Sequence, residues 1–239
     1  TALCPSRFRT SSGDRPEDYA AAVKWMLERP ENFFMVKQGI SFHSNTKTSI
    51  EGFHYGVRQD KAGYHGMMDQ GVISERGFNH MLDCVAAMKE VLGDKVSLAL
   101  DCGPGWMLPD AIRFARAVEK YDLMWLEDML TGDYVPWVNP QAYRELTQST
   151  STPIHTGEQI YLRHNFKELI ETQAVRVVGP DPADVGGIAE LKWVAEHAYL
   201  HQIVMAPHGT ANGRLGLGSQ INVCATLPAT YSAFEYRRA

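Results

Sequence analysis

The sequence is short of the features that mark several protein classes. Cysteine is scarce: Cys4, Cys84, Cys102 and Cys224 are widely scattered and none has CxxC spacing. That pattern excludes a disulfide framework or a zinc ribbon and reads as the reduced thiols of a cytoplasmic enzyme. Long apolar runs are missing too, since none approaches the roughly 20 residues of a membrane span. The opening TALCPSRFRTSSGD lacks the apolar length of a signal peptide. Basic charge is not in excess: the net charge of −5 offers no field for nucleic acid or an anionic membrane. There is no low-complexity segment and no short-period repeat. What is present is a 239-residue chain with 44% apolar residues, enough for a sizeable core and of a length that fits a (β/α) barrel.

Apolar strand-like runs alternate with amphipathic stretches, the pattern of a parallel α/β fold. Eight strands are expected, at Thr1–Cys4, Phe33–Lys37, Val96–Asp101, Leu123–Glu127, Pro153–Glu158, Val175–Val178, Gln202–Ala206 and Ala233–Tyr236. The helices between them are expected at Pro16–Leu27, from Ser74 to Val91, and at Pro109–Lys120, Pro140–Thr147, Arg163–Glu171, Gly187–His197 and Leu215–Ala225. Proline suits the first turn of a helix and Gly93 suits a stop. Eight strands with crossover helices favour a closed barrel over an open doubly wound sheet. One segment stands apart. Gly39–Ile73 is a long stretch rich in His, Gly and Asp. In a barrel it falls on the C-terminal face, where active sites are built. It has little apolar periodicity and would need something to pack against.

The strand SLALD closes on Asp101, LMWLEDM carries Glu127 at its strand end, and STPIHTGEQIY carries Glu158. Read singly, each is a solvated strand end. Together, three successive strands deliver one carboxylate each to the same rim, and neighbouring strands sit only about 4.8 Å apart. Like charges so placed raise one another's pKa unless a cation lies between them. Oxygen-only donors suit Mg²⁺. The remaining strands add Lys37 in FFMVKQG, Asp181 in VVGPDPADVGGI, His208 in IVMAPHG and Glu235 in AFEY. They bring a base candidate, a His–Asp pair and a further acid to that rim. His155 and His43 are further candidates, as substrate contacts.

This arrangement resembles the enolase superfamily and, within it, the mandelate racemase subgroup. The resemblance runs along nearly the whole chain. It is most specific in the Asp/Glu/Glu series, the PDxxxxGG stretch at Pro180–Gly187 and the PHG at Pro207–Gly209. It implies a modified TIM barrel of (β/α)₇β type over residues 1–239, with the family's α+β capping domain lying outside this chain and the native polypeptide extending beyond both ends. It implies that Asp101, Glu127 and Glu158 ligate Mg²⁺ and that Lys37 stands at the second lysine of a KxK motif. His208 and Asp181 would form a catalytic dyad, and Glu235 would hydrogen-bond the substrate carboxylate. It also implies a homo-oligomer and a small acid-sugar substrate. Met35 stands where the family has the first lysine of KxK, and Gly103 where the mannonate and gluconate dehydratase groups carry histidine.

The expected chemistry is that of an acid-sugar dehydratase, a hydro-lyase. A proton next to a carboxylate is very weakly acidic, and the obstacle is the charge of the enediolate that forms. A divalent cation on one side and a protonated Glu235 on the other stabilise that charge. Lys37 and His208, on opposite sides, then divide the proton transfers: one removes the α-proton and the other protonates the departing β-hydroxyl. The same groups also suit a racemase or epimerase of a 2-hydroxy acid. A non-catalytic barrel is the reading from another class.

Overall fold

The computed structural model describes residues 2–7, 13–44, 46–56, 70–130, 138–209, 213–227 and 233–236, with no side-chain description for 2–7, 47, 48 and 233–236. Eight parallel strands form one sheet in the order β7-β6-β5-β4-β3-β2-β1-β8. They are β1 Ala2–Arg7, β2 Met35–Gly39, β3 Ser97–Asp101, β4 Trp125–Glu127, β5 Ile154–Thr156, β6 Val177–Val178, β7 Val204–Met205 and β8 Ala233–Tyr236. A helix follows each of the first seven: α1 Pro16–Leu27, α3 Glu75–Leu92, α4 Leu108–Ala117, α5 Pro140–Gln148, α6 Arg163–Glu171, α7 Ile188–Leu200 and α8 Gly213–Cys224. The short α2, Thr46–Ser49, lies in the long connection after β2. This is the expected (β/α)₇β barrel. Among the described residues no helix is long and apolar enough to cross a membrane.

Local chemistry places the helix ends. Pro16 opens α1, where a missing N–H costs nothing, and the Asp18 side chain accepts from the Arg15 N–H at 3.1 Å. Ser74 caps α3 by accepting from the Gly77 N–H at 3.1 Å, and Gly93 closes it in a left-handed conformation at φ 62°.

Strand alternation decides what faces where. Val36, Leu98, Leu100, Leu126, Ile154 and Val178 point outward and join the core beneath the helices. Ala99, Trp125, Val177 and Ala206, at the intervening positions or next to them, form a separate cluster inside the barrel. Lys37, Asp101, Glu127 and His155 share that inward parity, one step or two from the mouth. The observed strands β4 to β7 are shorter than expected. Glu158, expected on its strand, therefore sits in the turn beyond β5, while Asp181 and His208 follow β6 and β7 as expected.

The connection after β2 differs from its expectation. It packs against the barrel's own residues. Phe42, Phe53 and Ile73 are buried, Phe42 meets the Trp106 ring edge-on at 5.6 Å, and His54 and Ile73 form an antiparallel bridge. Aromatics spaced irregularly along a turn-rich stretch carry no helical or strand period, so periodicity could not report this packing. Residues 45 and 57–69 lie outside the described residues.

Candidate active site

Asp101 and Glu127 are register partners at the ends of β3 and β4, and Glu158 lies in the turn after β5. All three are buried, and one oxygen of each lies within 4.8 Å of the others. Among the described residues this is the one group of three or more such side chains brought so close. Among the described residues the Asp101 Oδ2 atom is buried without a hydrogen-bond partner; Lys37 Nζ reaches it only as an ion pair at 3.5 Å. A buried anionic oxygen left in that state is costly. Three carboxylates around it match the donor set that a hard divalent cation takes. The residues present therefore fit the expected metal.

Lys37 lies inside the barrel, 3% exposed, with Nζ 2.5 Å from Glu127 Oε1. Its ammonium is engaged by two of the three carboxylates. His43, from the connection after β2, places Nδ1 3.1 Å from Asp101 Oδ1. Gly103 makes room for it: a Cβ there would lie 2.6 Å from the His43 backbone nitrogen. Burial disfavours the His43 imidazolium most strongly, but the Asp101 charge and hydrogen bond together with the Glu158 charge outweigh it and raise the His43 pKa. Asp101 is itself pushed up by burial and pulled further down by His43 and Lys37, ending below the usual carboxylate range. Glu158 behaves oppositely. Burial raises it to about 7 against the attraction of His208.

The expected dyad is formed. His208 Nδ1 lies 2.8 Å from Asp181 Oδ2, and His208 Nε2 lies 3.2 Å from Glu158 Oε2. Asp181 in turn accepts from the Ala183 N–H at 2.7 Å, which fixes its carboxylate. Gln220 of α8 donates to the His208 carbonyl from behind, and Gly209 leaves space for its amide.

His155 is brought to the triad but fully buried, with Nδ1 3.6 Å from Glu127 Oε2 and its ring stacked on Trp125. Burial lowers its pKa. Glu235 lies on β8 opposite Cys4 in register, and its side chain lies outside the described residues. Two participants were missed from sequence. Trp125 donates its indole N–H to Glu127 Oε2 at 2.7 Å. Asp128 is buried next to the triad, accepts from Thr156 Oγ1 at 2.6 Å, and is raised well above the carboxylate range by burial and by Glu158 and Glu127. The only signal for Asp128 was its place beside Glu127. Trp125 had one signal, its shared parity two residues before that glutamate.

A family model described as enolase C-terminal domain-like matches residues 54–237. The chain belongs to the enolase superfamily. Its place in the mandelate racemase subgroup agrees with its relatives. It is 35% identical over 158 residues to the D-xylonate dehydratase of Haloferax volcanii, which covers 66% of this chain and 37% of that one. It is 32% identical over 124 residues to the L-talarate/galactarate dehydratase of Salmonella typhimurium, covering 52% and 30%. A mandelate racemase/muconate lactonizing enzyme-like protein from Rubrobacter xylanophilus superimposes with a TM-score of 0.78 at 30% identity, over 99% of this chain and 56% of that structure. The chain thus spans less than half the length of these curated relatives. In this enolase-superfamily barrel, the acidic triad sits at the C-terminal rim of β3, β4 and β5, the end of a TIM barrel where chemistry is built.

Proposed function

We propose that this barrel serves a Mg²⁺-dependent hydro-lyase that dehydrates a sugar acid, an aldonate or aldarate. The observation that carries the reading is the convergence of Asp101, Glu127 and Glu158 beside the His208–Asp181 pair. The activities for which the two curated relatives are named, both sugar-acid dehydrations, support the substrate class. The thiol pattern supports a cytoplasmic enzyme, and the resemblance supports a homo-oligomer.

Asp101, Glu127 and Glu158 would hold the metal. Bound there, Mg²⁺ supplies Lewis-acid stabilisation of charge on the substrate carboxylate. Glu235, on β8, is assigned the opposite side of that carboxylate as hydrogen-bond donor. Asp181 holds His208 by Nδ1, so Nε2 is the atom that exchanges a proton, and the carboxylate stabilises the imidazolium. His208 is assigned to protonate the departing β-hydroxyl, and Lys37 to remove the α-proton. One observation favours a second assignment of that base. Lys37 Nζ is buried and engaged by both Glu127 and Asp101, whereas His43 pairs with Asp101 alone among the triad and is the more exposed of the two.

The test is ¹H NMR in D₂O with the protein, Mg²⁺ and a panel of sugar acids. Dehydration yields a 2-keto-3-deoxy acid. α-Proton exchange or a new diastereomer without that product would replace the lyase by an epimerase. No change across the panel would overturn both readings.

A further inference from the structure

The candidate machinery at the mouth rests on a second layer, which the proposed chemistry does not use. Glu127 is held at both oxygens. Oε1 accepts from Lys37 at 2.5 Å, and Oε2 accepts from the Trp125 indole N–H at 2.7 Å. Two donors at the two oxygens fix the carboxylate plane, because turning it would break both bonds. The Trp125 ring is itself held. It stacks on His155 with centroids 5.2 Å apart and planes 20° from parallel. His155 is anchored in turn by its Nε2, 3.2 Å from the Ala206 carbonyl just after β7. Gly179 permits this, since a Cβ there would overlap the His155 ring. The line runs from Gly179 through His155 and Trp125 to Glu127, crossing from β6 to β4.

We propose that Trp125, fixed by His155, is a positioning residue that aims Glu127 at the metal position as a one-oxygen ligand. This rests on the metal reading above. The physical reason is that a carboxylate tied down at both oxygens presents a defined remaining lone pair to a cation and pays little further ordering cost on binding. A Trp that merely filled the barrel would need its ring but not its N–H. The nearest filler positions here, Ala99, Val177 and Ala206, contribute no polar side chain. The same geometry moves His155 from a substrate contact to a support, since its ring lies beside Glu127 and 1% exposed.

The test is Mg²⁺ titration calorimetry of the intact protein, comparing wild type with Trp125→Phe, Glu127→Gln and His155→Phe. Trp125→Phe keeps an aromatic ring for the stack and removes the donor together with the five-membered part of the indole. The expected result is a loss of about 10- to 100-fold in Mg²⁺ affinity, the usual weight of a partner behind a metal ligand, with an unchanged circular dichroism spectrum. Should Trp125→Phe fail to fold, the indole N–H resonance of Trp125 in the wild type, assigned with Trp→Phe variants at other positions, is the second readout. It is expected to shift on saturation with Mg²⁺. Wild-type affinity in Trp125→Phe, or an unmoved resonance at saturation, overturns the positioning role alone. A wild type that binds Mg²⁺ no better than Glu127→Gln overturns the metal reading, and this inference with it.

Discussion

His208 touches carboxylates of two kinds. Asp181 is an orienting partner on Nδ1, held by the Ala183 N–H, while Glu158 on the Nε2 side belongs to the candidate metal triad. His208→Asn keeps a polar amide in this space but cannot carry a proton. Turnover is expected to fall on the order of 10²–10⁴-fold, the usual weight of general acid–base catalysis, with a much smaller change in KM. Steady-state kinetics check it, and turnover within a few-fold of wild type would hand the acid role to another residue. Glu158 gives a pH prediction. Its carboxyl is raised by burial to about 7, so below that pH it holds a proton that a cation must displace. Mg²⁺ affinity should therefore rise with pH up to about 7 and level off above it. Calorimetry in buffers of different ionisation enthalpy should detect a released proton at pH 6 and less at pH 8. The sign for stability is the reverse. Between the model-peptide value of 4.5 and about 7 the folded protein binds more protons than the unfolded chain, so the metal-free fold loses stability as pH rises through that window. At this scale the sequence showed Asp101 and Glu127 because each ends an alternating strand. It did not show the Trp125 and His43 contacts. The Trp125 contact lies within β4, where shared parity hints at it but does not require the indole N–H to meet the carboxylate, and the His43 contact is set by proximity between elements, which no spacing rule encodes.

At the scale of elements, the connection after β2 and the turn after β3 fit together at one point. Phe42 and His43 N–H groups both donate to the Cys102 carbonyl, at 3.1 and 3.3 Å, and Gly103 lies under His43 at φ 67°. Gly103→Ala meets two penalties. The left-handed conformation costs a non-glycine residue about 1–2 kcal/mol, and the new Cβ would press on backbone, which cannot rotate away. The expected outcome is a lower melting temperature together with lost activity, because His43 and Asp101 move with their loops. A variant as stable and active as wild type would show that the two turns are not locked together. The helices were the more legible elements: α1 and α6 fall where their amphipathic pattern ends, and Ser74 and Gly93 bracket α3. The strands β6 and β7 are only two residues each, against four and five expected. Their apolar runs begin ahead of the ladder, where Val175 and Ile203 are buried without belonging to it. A hydrophobic run reports burial, while the ladder covers only its later part, from Val177 and from Val204.

At the scale of the whole molecule, the fold was read from the alternation of strands and helices. The site was read from the polar residues that interrupt the strand ends. What joins the two is parity. Leu100 and Leu126 face the helices while Asp101 and Glu127 face the barrel, one residue further along. A one-residue slip would turn every side chain to the other face. Deleting Ala99 from the middle of β3 should therefore abolish soluble folded protein, whereas one glycine inserted after the exposed Asp94, in the turn before the strand, should be tolerated. Solubility and far-UV circular dichroism distinguish the two. The consequence reaches beyond stability. Because the residues that bury the core and the residues that aim the carboxylates are neighbours on the same strands, selection for a folded chain also preserves the placement of the triad. The mouth loops carry no such double duty. Descendants of this chain are then free to vary what approaches the rim, while the rim is inherited with the scaffold.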